Sequence, residues 1–202
     1  MGIKINYDKL LEGLISKLDY RPKLLLHSCC GPCSSYVIDY LKDYFDITII
    51  YYNPNIEPQE EYEKRLQEQI KLIKKLNIPY VKLMDIEYNN ADYKKAVVGY
   101  EEEKEGGIRC HFCYELRLTK TAKIANEHDF EYFGTTLTVS PYKNANILNA
   151  IGEKLESEYK VKWLYSDFKK KEGYKKSIEL SKKYNLYRQD YCGCLFSKSK
   201  NE

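Results

Sequence analysis

Seven cysteines carry most of the chemistry open to this chain, and they fall in three groups. Cys29, Cys30 and Cys33 lie within His27-Ser28-Cys29-Cys30-Gly31-Pro32-Cys33-Ser34-Ser35, Cys110 and Cys113 form a Cys-x-x-Cys pair, and Cys192-Gly193-Cys194 comes last. Thiolates bind both zinc and iron–sulfur clusters, and Cys-x-x-Cys spacing is common to both. Cys29, Cys30, Cys110 and Cys113 make up the four ligands that either group takes. Adjacent cysteines reach two corners of one tetrahedral ion only with strain, whereas a cubane offers separate iron corners. The Cys29-Cys30 pair therefore suits a cluster better, with zinc and unliganded thiols as the other readings.

Cys33 falls at a predicted helix N-terminus, where the dipole lowers a thiol's pKa; it reads as a ligand, a redox thiol or a small buried residue. Cys192 and Cys194 can close only a small, strained and readily reduced disulfide ring. That suits reversible two-electron chemistry or one soft metal ion; the plainer reading is an exposed pair near the end of the chain. His27, beside Cys29, could ligate or donate a proton, or simply pack. His111 reads as a packing or hydrogen-bonding residue, and His128, at a predicted helix C-terminus, as structural.

These groups need elements to position them. Lys23-Leu24-Leu25-Leu26-His27 is a short apolar run suited to a buried parallel strand. The cysteine loop follows it, and Ser34 or Ser35 can cap a helix with Val37, Ile38, Leu41 and Phe45 inside. Asp46–Tyr52 is the clearest strand, rich in β-branched and aromatic residues, and ends in the Asn53–Pro58 loop. A helix over 60–76 has Tyr62, Leu66, Ile70 and Ile73 as its inner stripe, with Glu60–Lys64 and Glu61–Arg65 as supporting pairs. A first helix over 6–18 places Tyr7, Leu10, Leu14 and Leu18 on one face. Further strands are predicted over 79–84, 130–136 and 161–165. Helices are predicted near 93–100, from Cys110, around Ile147–Leu155 and around Tyr174–Leu180. Five strands alternating with helices predict an α/β fold over 1–202: one domain, a mostly parallel sheet, helices on both faces, cysteine-bearing insertions and a basic C-terminal segment. In such sheets ligands bind beyond the carboxyl ends of the strands, where the cysteine loop, Asn53–Pro58 and Thr135–Lys143 would sit.

At 202 residues with 43% hydrophobic and 31% charged residues, the chain is globular rather than disordered. Its net charge of +3 decides little, but residues 154–188 carry eleven Lys/Arg against five Asp/Glu. That balance fits an anionic partner such as RNA, or a solvated lysine-rich face. Neither a signal-peptide run nor a membrane-length apolar segment is present, so a cytoplasmic location with reduced thiols and no membrane partner is expected. An odd cysteine count in close groups points away from a disulfide framework and toward metal or redox chemistry. No glycine-rich nucleotide-binding motif occurs.

The chain resembles the cobalamin-independent, QueH-type epoxyqueuosine reductases. The resemblance covers nearly its whole length and rests on five pieces in order. They are Leu26-His27-Ser28-Cys29-Cys30-Gly31-Pro32-Cys33-Ser34, Tyr51-x-Asn53-Pro54-Asn55-Ile56-x-Pro58-x-x-Glu61-Tyr62, Arg109-Cys110-x-x-Cys113-Tyr114-x-Leu116-Arg117-Leu118, Thr135-Thr136-Leu137-x-x-Ser140-Pro141-Tyr142-Lys143 and Tyr191-Cys192-Gly193-Cys194-x-x-Ser197. It implies a Rossmann-like fold of the adenine-nucleotide α-hydrolase type, with cysteines where a phosphate loop would stand. It implies two-electron deoxygenation of epoxyqueuosine in tRNA to queuosine, on a [4Fe-4S] cluster held by Cys29, Cys30, Cys110 and Cys113, without cobalamin. Cys192 and Cys194 would be a redox-active pair. Cys33, Cys192, Cys194 and Asp190 are the candidates for an additional iron ion, and His27 or Tyr191 for a proton donor. Lys169–Lys176 would meet phosphates and tyrosines would stack on anticodon-loop bases. The electron donor is not identified. A zinc-stabilised RNA-binding module and a dithiol oxidoreductase are the rival readings.

Overall fold

Three consecutive leucines set the centre of the protein. In the computed structural model, which describes residues 5–84 and 86–198, β1 spans Lys23–His27 and is buried from Leu24 onward. Successive side chains of a strand point to opposite faces. Leu24 and Leu26 accordingly pack with Val37, Ile38 and Leu41, while Leu25 packs on the other side with Leu118, Ala122 and Leu148. A strand buried on both faces belongs in the middle of a parallel sheet, and β1 is there.

The sheet has five parallel strands: β1, β2 (Asp46–Ile50), β3 (Val81–Met84), β4 (Tyr132–Thr135) and β5 (Lys162–Trp163). Their order is β3-β2-β1-β4-β5. This is the α/β, Rossmann-like arrangement expected, with every strand pair parallel. The ends of the expected 1–202 domain lie outside the described residues. β2 stops two residues earlier than predicted, because its neighbour β1 ends at His27 opposite Ile50 and leaves Tyr51 and Tyr52 no ladder to join.

Two helical layers cover the sheet. α1 (Tyr7–Ile15), α2 (Gly31–Leu41) and α3 (Gln59–Leu76) come early; α4 (Asn90–Ala96) and α5 (Ile108–Glu127) precede β4. α6 (Ala145–Tyr159) precedes β5, and α7 (Gly173–Lys183) and α8 (Leu195–Lys198) end the described chain. α2 packs between α3 and α7, while α5 packs on α6 across the sheet. The strand order reverses between β1 and β4, and the loops leaving these two strands flank the crevice where Rossmann-like sheets bind ligands.

Three local expectations differ from what forms. The cap of α2 is Cys30, not Ser34 or Ser35: its Sγ accepts from the Cys33 N–H, so the helix begins directly after the adjacent cysteines. On α1 the buried residue is Leu11, and Leu10 faces solvent. On α3 the buried stripe is Tyr62, Arg65, Gln69 and Leu72, rotated from the apolar one, because Arg65 and Gln69 have polar partners inside. α8 and the 3₁₀ turn Leu137–Val139 were not foreseen. No helix is long and apolar enough to cross a membrane.

Candidate active site

The loop after β1 turns sharply into α2 and drops its thiols at the crevice. Gly31 permits the turn, since a Cβ there would lie 3.0 Å from the Glu68 carbonyl oxygen. Ser28 and Ser34 both donate to Gln69 Oε1 at 2.7 Å, tying the loop to α3. The Cys29 N–H donates to Thr136 Oγ1 beyond β4. The thiol sulfurs of Cys29, Cys30 and Cys33 thus come within 4.8 Å of one another, the one such group of candidate metal ligands among the described residues. Hydrogen bonds from the Cys30 and Cys33 thiols, with Arg117 and Thr136 nearby, hold Cys29 well below its ordinary pKa. The bonds to Cys29 leave Cys30 pushed up to about 12 and hold Cys33 well above its ordinary value.

Cys110 and Cys113 stand in the first turns of α5, whose N-terminal dipole favours thiolates. They are not part of the compact triad. Arg117, one turn further on, links the two sets. Its Nη1 lies 3.8 Å from Cys113 Sγ, its Nη2 donates to Asn53 Oδ1 at 2.5 Å, and its Nε donates to His27 Nε2 at 3.2 Å. Its charge favours the thiolates of Cys29 and Cys113 and is itself sustained by Cys113, Cys29 and Cys192 against the cost of burial. Burial outweighs that help at Cys113, whose thiol is pushed up to about 11.

The Cys192-Gly193-Cys194 segment is anchored rather than frayed. Arg65, paired with Glu61 at 2.6 Å, donates to the carbonyls of Tyr191 and Cys192, and the Glu57 N–H donates to Gly193 O at 2.9 Å. Cys192 lies 3.3 Å from the buried ammonium of Lys143, which also pairs with Glu105. Cys194 points elsewhere, 2.8 Å from the Tyr93 hydroxyl. All seven cysteines are unpaired.

A cavity of about 530 Å³ gathers Cys29, Cys33 and Cys192 with Asn53, Asn55, Lys143, Gln189, Asp190 and Tyr191 on its walls. Two thiols of the triad, Cys29 and Cys33, therefore share one space with Arg117 and the 191–192 segment. His27 does not line it: the ring is fully buried, and enclosure beside Arg117 lowers its pKa to about 3. Tyr191 lines the cavity, but its hydroxyl donates to Glu57 O. Asp190 is exposed at the rim. Arg65, Gln69, Asn53, Arg117 and Lys143 were not singled out from sequence for these positions. Three of them, Asn53, Arg117 and Lys143, do stand inside the motif pieces, which was the only signal available.

The family model described as epoxyqueuosine reductase QueH matches residues 24–200. The chain belongs to that family. Relatives named epoxyqueuosine reductase QueH include one from Staphylococcus epidermidis, 46% identical over 98% of this chain and 86% of its own. One from Streptococcus pyogenes is 40% identical over 96% and 78%, and one from Thermotoga maritima 37% over 86% and 89%. The chain is accordingly an oxidoreductase.

Proposed function

We propose that this chain reduces the epoxide of epoxyqueuosine in tRNA to the alkene of queuosine, using iron–sulfur chemistry. The observation that carries the proposal is the convergence of the Cys29–Cys33 thiols, Arg117 and Cys192 on one cavity at the β1/β4 crevice. The donor set fits such a cofactor: thiols at two helix N-termini, with a buried cation to balance thiolate charge. Cys29, Cys30, Cys110 and Cys113 would hold a [4Fe-4S] cluster, and Cys33 and Cys192, with Asp190, an additional iron ion. Cys194, turned toward Tyr93, would have to leave that hydroxyl to form a redox-active pair with Cys192 in place of the additional iron.

When bound, the cluster would supply electrons singly. Two electrons and two protons convert the epoxide to an alkene and water. The chain's own residues handle orientation and charge. Lys143, an ammonium that Cys192, Tyr114 and Glu105 keep charged despite burial, favours negative charge developing on an oxygen in the cavity. His27 holds Arg117 in place, and thereby the thiolates, rather than meeting substrate.

A second groove of about 570 Å³ shares Tyr142 and Lys143 with the cavity and is also lined by Lys169 and Lys170. Tyr142 is 75% exposed there, a face on which an anticodon-loop base could stack. Within the lysine-rich segment, Lys169, Lys171 and Lys175 already pair with Asp167, Glu12 and Glu172, which leaves Lys170 and Lys176; of these Lys170 lines the groove and is the stronger phosphate contact.

Mass spectrometry of epoxyqueuosine-bearing tRNA, incubated anaerobically with reductant and protein, tests the reading. Loss of one oxygen with iron-reconstituted protein, and none with iron-free protein, is expected. Turnover without iron would favour the dithiol oxidoreductase. Stoichiometric zinc with tRNA binding but no turnover would favour the RNA-binding module.

A further inference from the structure

Buried polar groups in folded proteins are nearly all hydrogen-bonded, so each orphan calls for an explanation. Six buried side-chain polar atoms have no partner among the described residues, and two of them belong to residues lining the reactive cavity: Asn55 Oδ1 and Gln189 Oε1. We propose that these two amide oxygens read the substrate, accepting hydrogen bonds from the neighbouring hydroxyls of the ring that bears the epoxide. The inference rests on the substrate reading above and assigns its specificity.

Both side chains are presented by pinned backbone. On either side of Asn55, Asn90 Nδ2 donates to Pro54 O and the Tyr88 hydroxyl donates to Ile56 O, each at 2.7 Å. Around Gln189, the Tyr187 N–H donates to Glu68 Oε2 at 2.8 Å and the Tyr191 hydroxyl to Glu57 O. Asn55 is 1% exposed, so solvent does not serve its oxygen, and a ligand hydroxyl reaches it only by displacing part of the cavity wall. A carbonyl oxygen only accepts, which selects a ligand rich in donors and disfavours a phosphate or carboxylate at this spot.

Place along the cavity selects the donors. The substrate offers two sets, the N1–H and exocyclic amine of its 7-deazaguanine and the vicinal hydroxyls of its cyclopentane. Gln189 lines the cavity together with Cys29 and Cys33 of the triad. Asn55 belongs to the loop whose Glu57 N–H bonds Gly193 O, next to Cys192. Both residues therefore share the cavity with the Cys29, Cys33 and Cys192 thiols, where the epoxide ring must come, and the ring's hydroxyls are the donors that follow it there.

Competition by two modified anticodon stem–loops tests this, one carrying queuosine and one carrying 7-aminomethyl-7-deazaguanine, which lacks the ring. With iron-reconstituted wild type, the queuosine stem–loop is expected to inhibit the more strongly. Asn55→Leu and Gln189→Leu are each expected to weaken queuosine inhibition roughly tenfold while leaving the ring-less stem–loop within about twofold. Gln189→Glu, which keeps an acceptor, is expected to recover part of the loss. Equal wild-type inhibition by the two stem–loops, or equal weakening of both in the variants, overturns the proposal. If Asn55→Leu does not fold, the half-buried Gln189 position decides alone. Wild type that removes no oxygen from epoxyqueuosine tRNA overturns the function reading instead, a result separate from these comparisons.

Discussion

Arg117 Nε lies 3.2 Å from His27 Nε2, and this contact fixes the tautomer of the buried imidazole. A guanidinium only donates, so Nε2 accepts and the proton sits on Nδ1, directed at Thr135 Oγ1 at 2.9 Å. The Tyr52 carbonyl, 3.2 Å from the same Nε2, would favour the opposite tautomer. It loses to the charged group, whose N–H would otherwise face another N–H. A neutral, enclosed His27 orients Arg117 and has no proton to give the cavity.

His27 makes stability pH-dependent. Its folded pKa of about 3 lies below the ordinary imidazole value of 6.5, so the unfolded chain binds the extra proton between them. Stability from this group is complete above pH 6.5 and is lost as pH falls toward 3, with a slope of about 1.4 kcal/mol per pH unit. Urea unfolding of the metal-free protein at stepped pH should show that slope, and His27→Asn should flatten it. An unchanged slope in the variant would refute the assignment.

Removing the guanidinium strands the acceptors on His27 and Asn53. Arg117→Met is expected to lower stability by about 3 kcal/mol. Arg117→Lys should lose less, because it keeps the charge but cannot reach Asn53, His27 and Cys113 together. Chemical denaturation of both variants checks the order.

Gly193 sits at φ +110°, and a Cβ there would lie 2.8 Å from Ile56 Cγ1. Gly193→Ala should cost about 1–3 kcal/mol locally and release the Cys192 segment from Arg65. Faster hydrogen exchange at the Glu57 amide, which donates to Gly193 O, is the readout. Gly13→Ala, with nothing within 4 Å of the added Cβ, serves as the neutral control.

The ligand assignment separates two cysteine sets. After anaerobic reconstitution, iron and acid-labile sulfide should fall together in Cys110→Ala/Cys113→Ala. Cys33→Ala should keep the sulfide and lose iron alone. Loss of sulfide in Cys33→Ala would instead place the cluster on the compact triad.

Ion pairing predicts unequal lysines. Lys170→Glu should weaken tRNA binding and reduce the salt slope by roughly 0.7–0.9, the loss of one phosphate contact. Lys171→Glu, already opposed by Glu12 and Asp8, should change it less. Binding isotherms across a salt series measure both.

The order β1, cysteine loop, α2 was readable from residues alone, because three buried leucines, a glycine-proline turn and a 3.6-residue apolar repeat are local signals. So was the α/β class, since short apolar runs alternated with amphipathic helices along the whole chain. What stayed hidden was every buried polar residue that assembles the site. Apolar periodicity placed Leu66 and Ile70 on the inner face of α3; the folded chain turned Arg65 and Gln69 inward instead. Their partners, the carbonyls of Tyr191 and Cys192 and the hydroxyls of Ser28 and Ser34, lie dozens to more than a hundred residues away. The same holds for Arg117 between His27, Asn53 and Cys113, and for Lys143 beside Cys192. A charged side chain reads as surface unless its partners are known, because burial without them is too costly. Local sequence determined the elements and the thiols they carry; only tertiary structure supplied the partners that let charges stand inside.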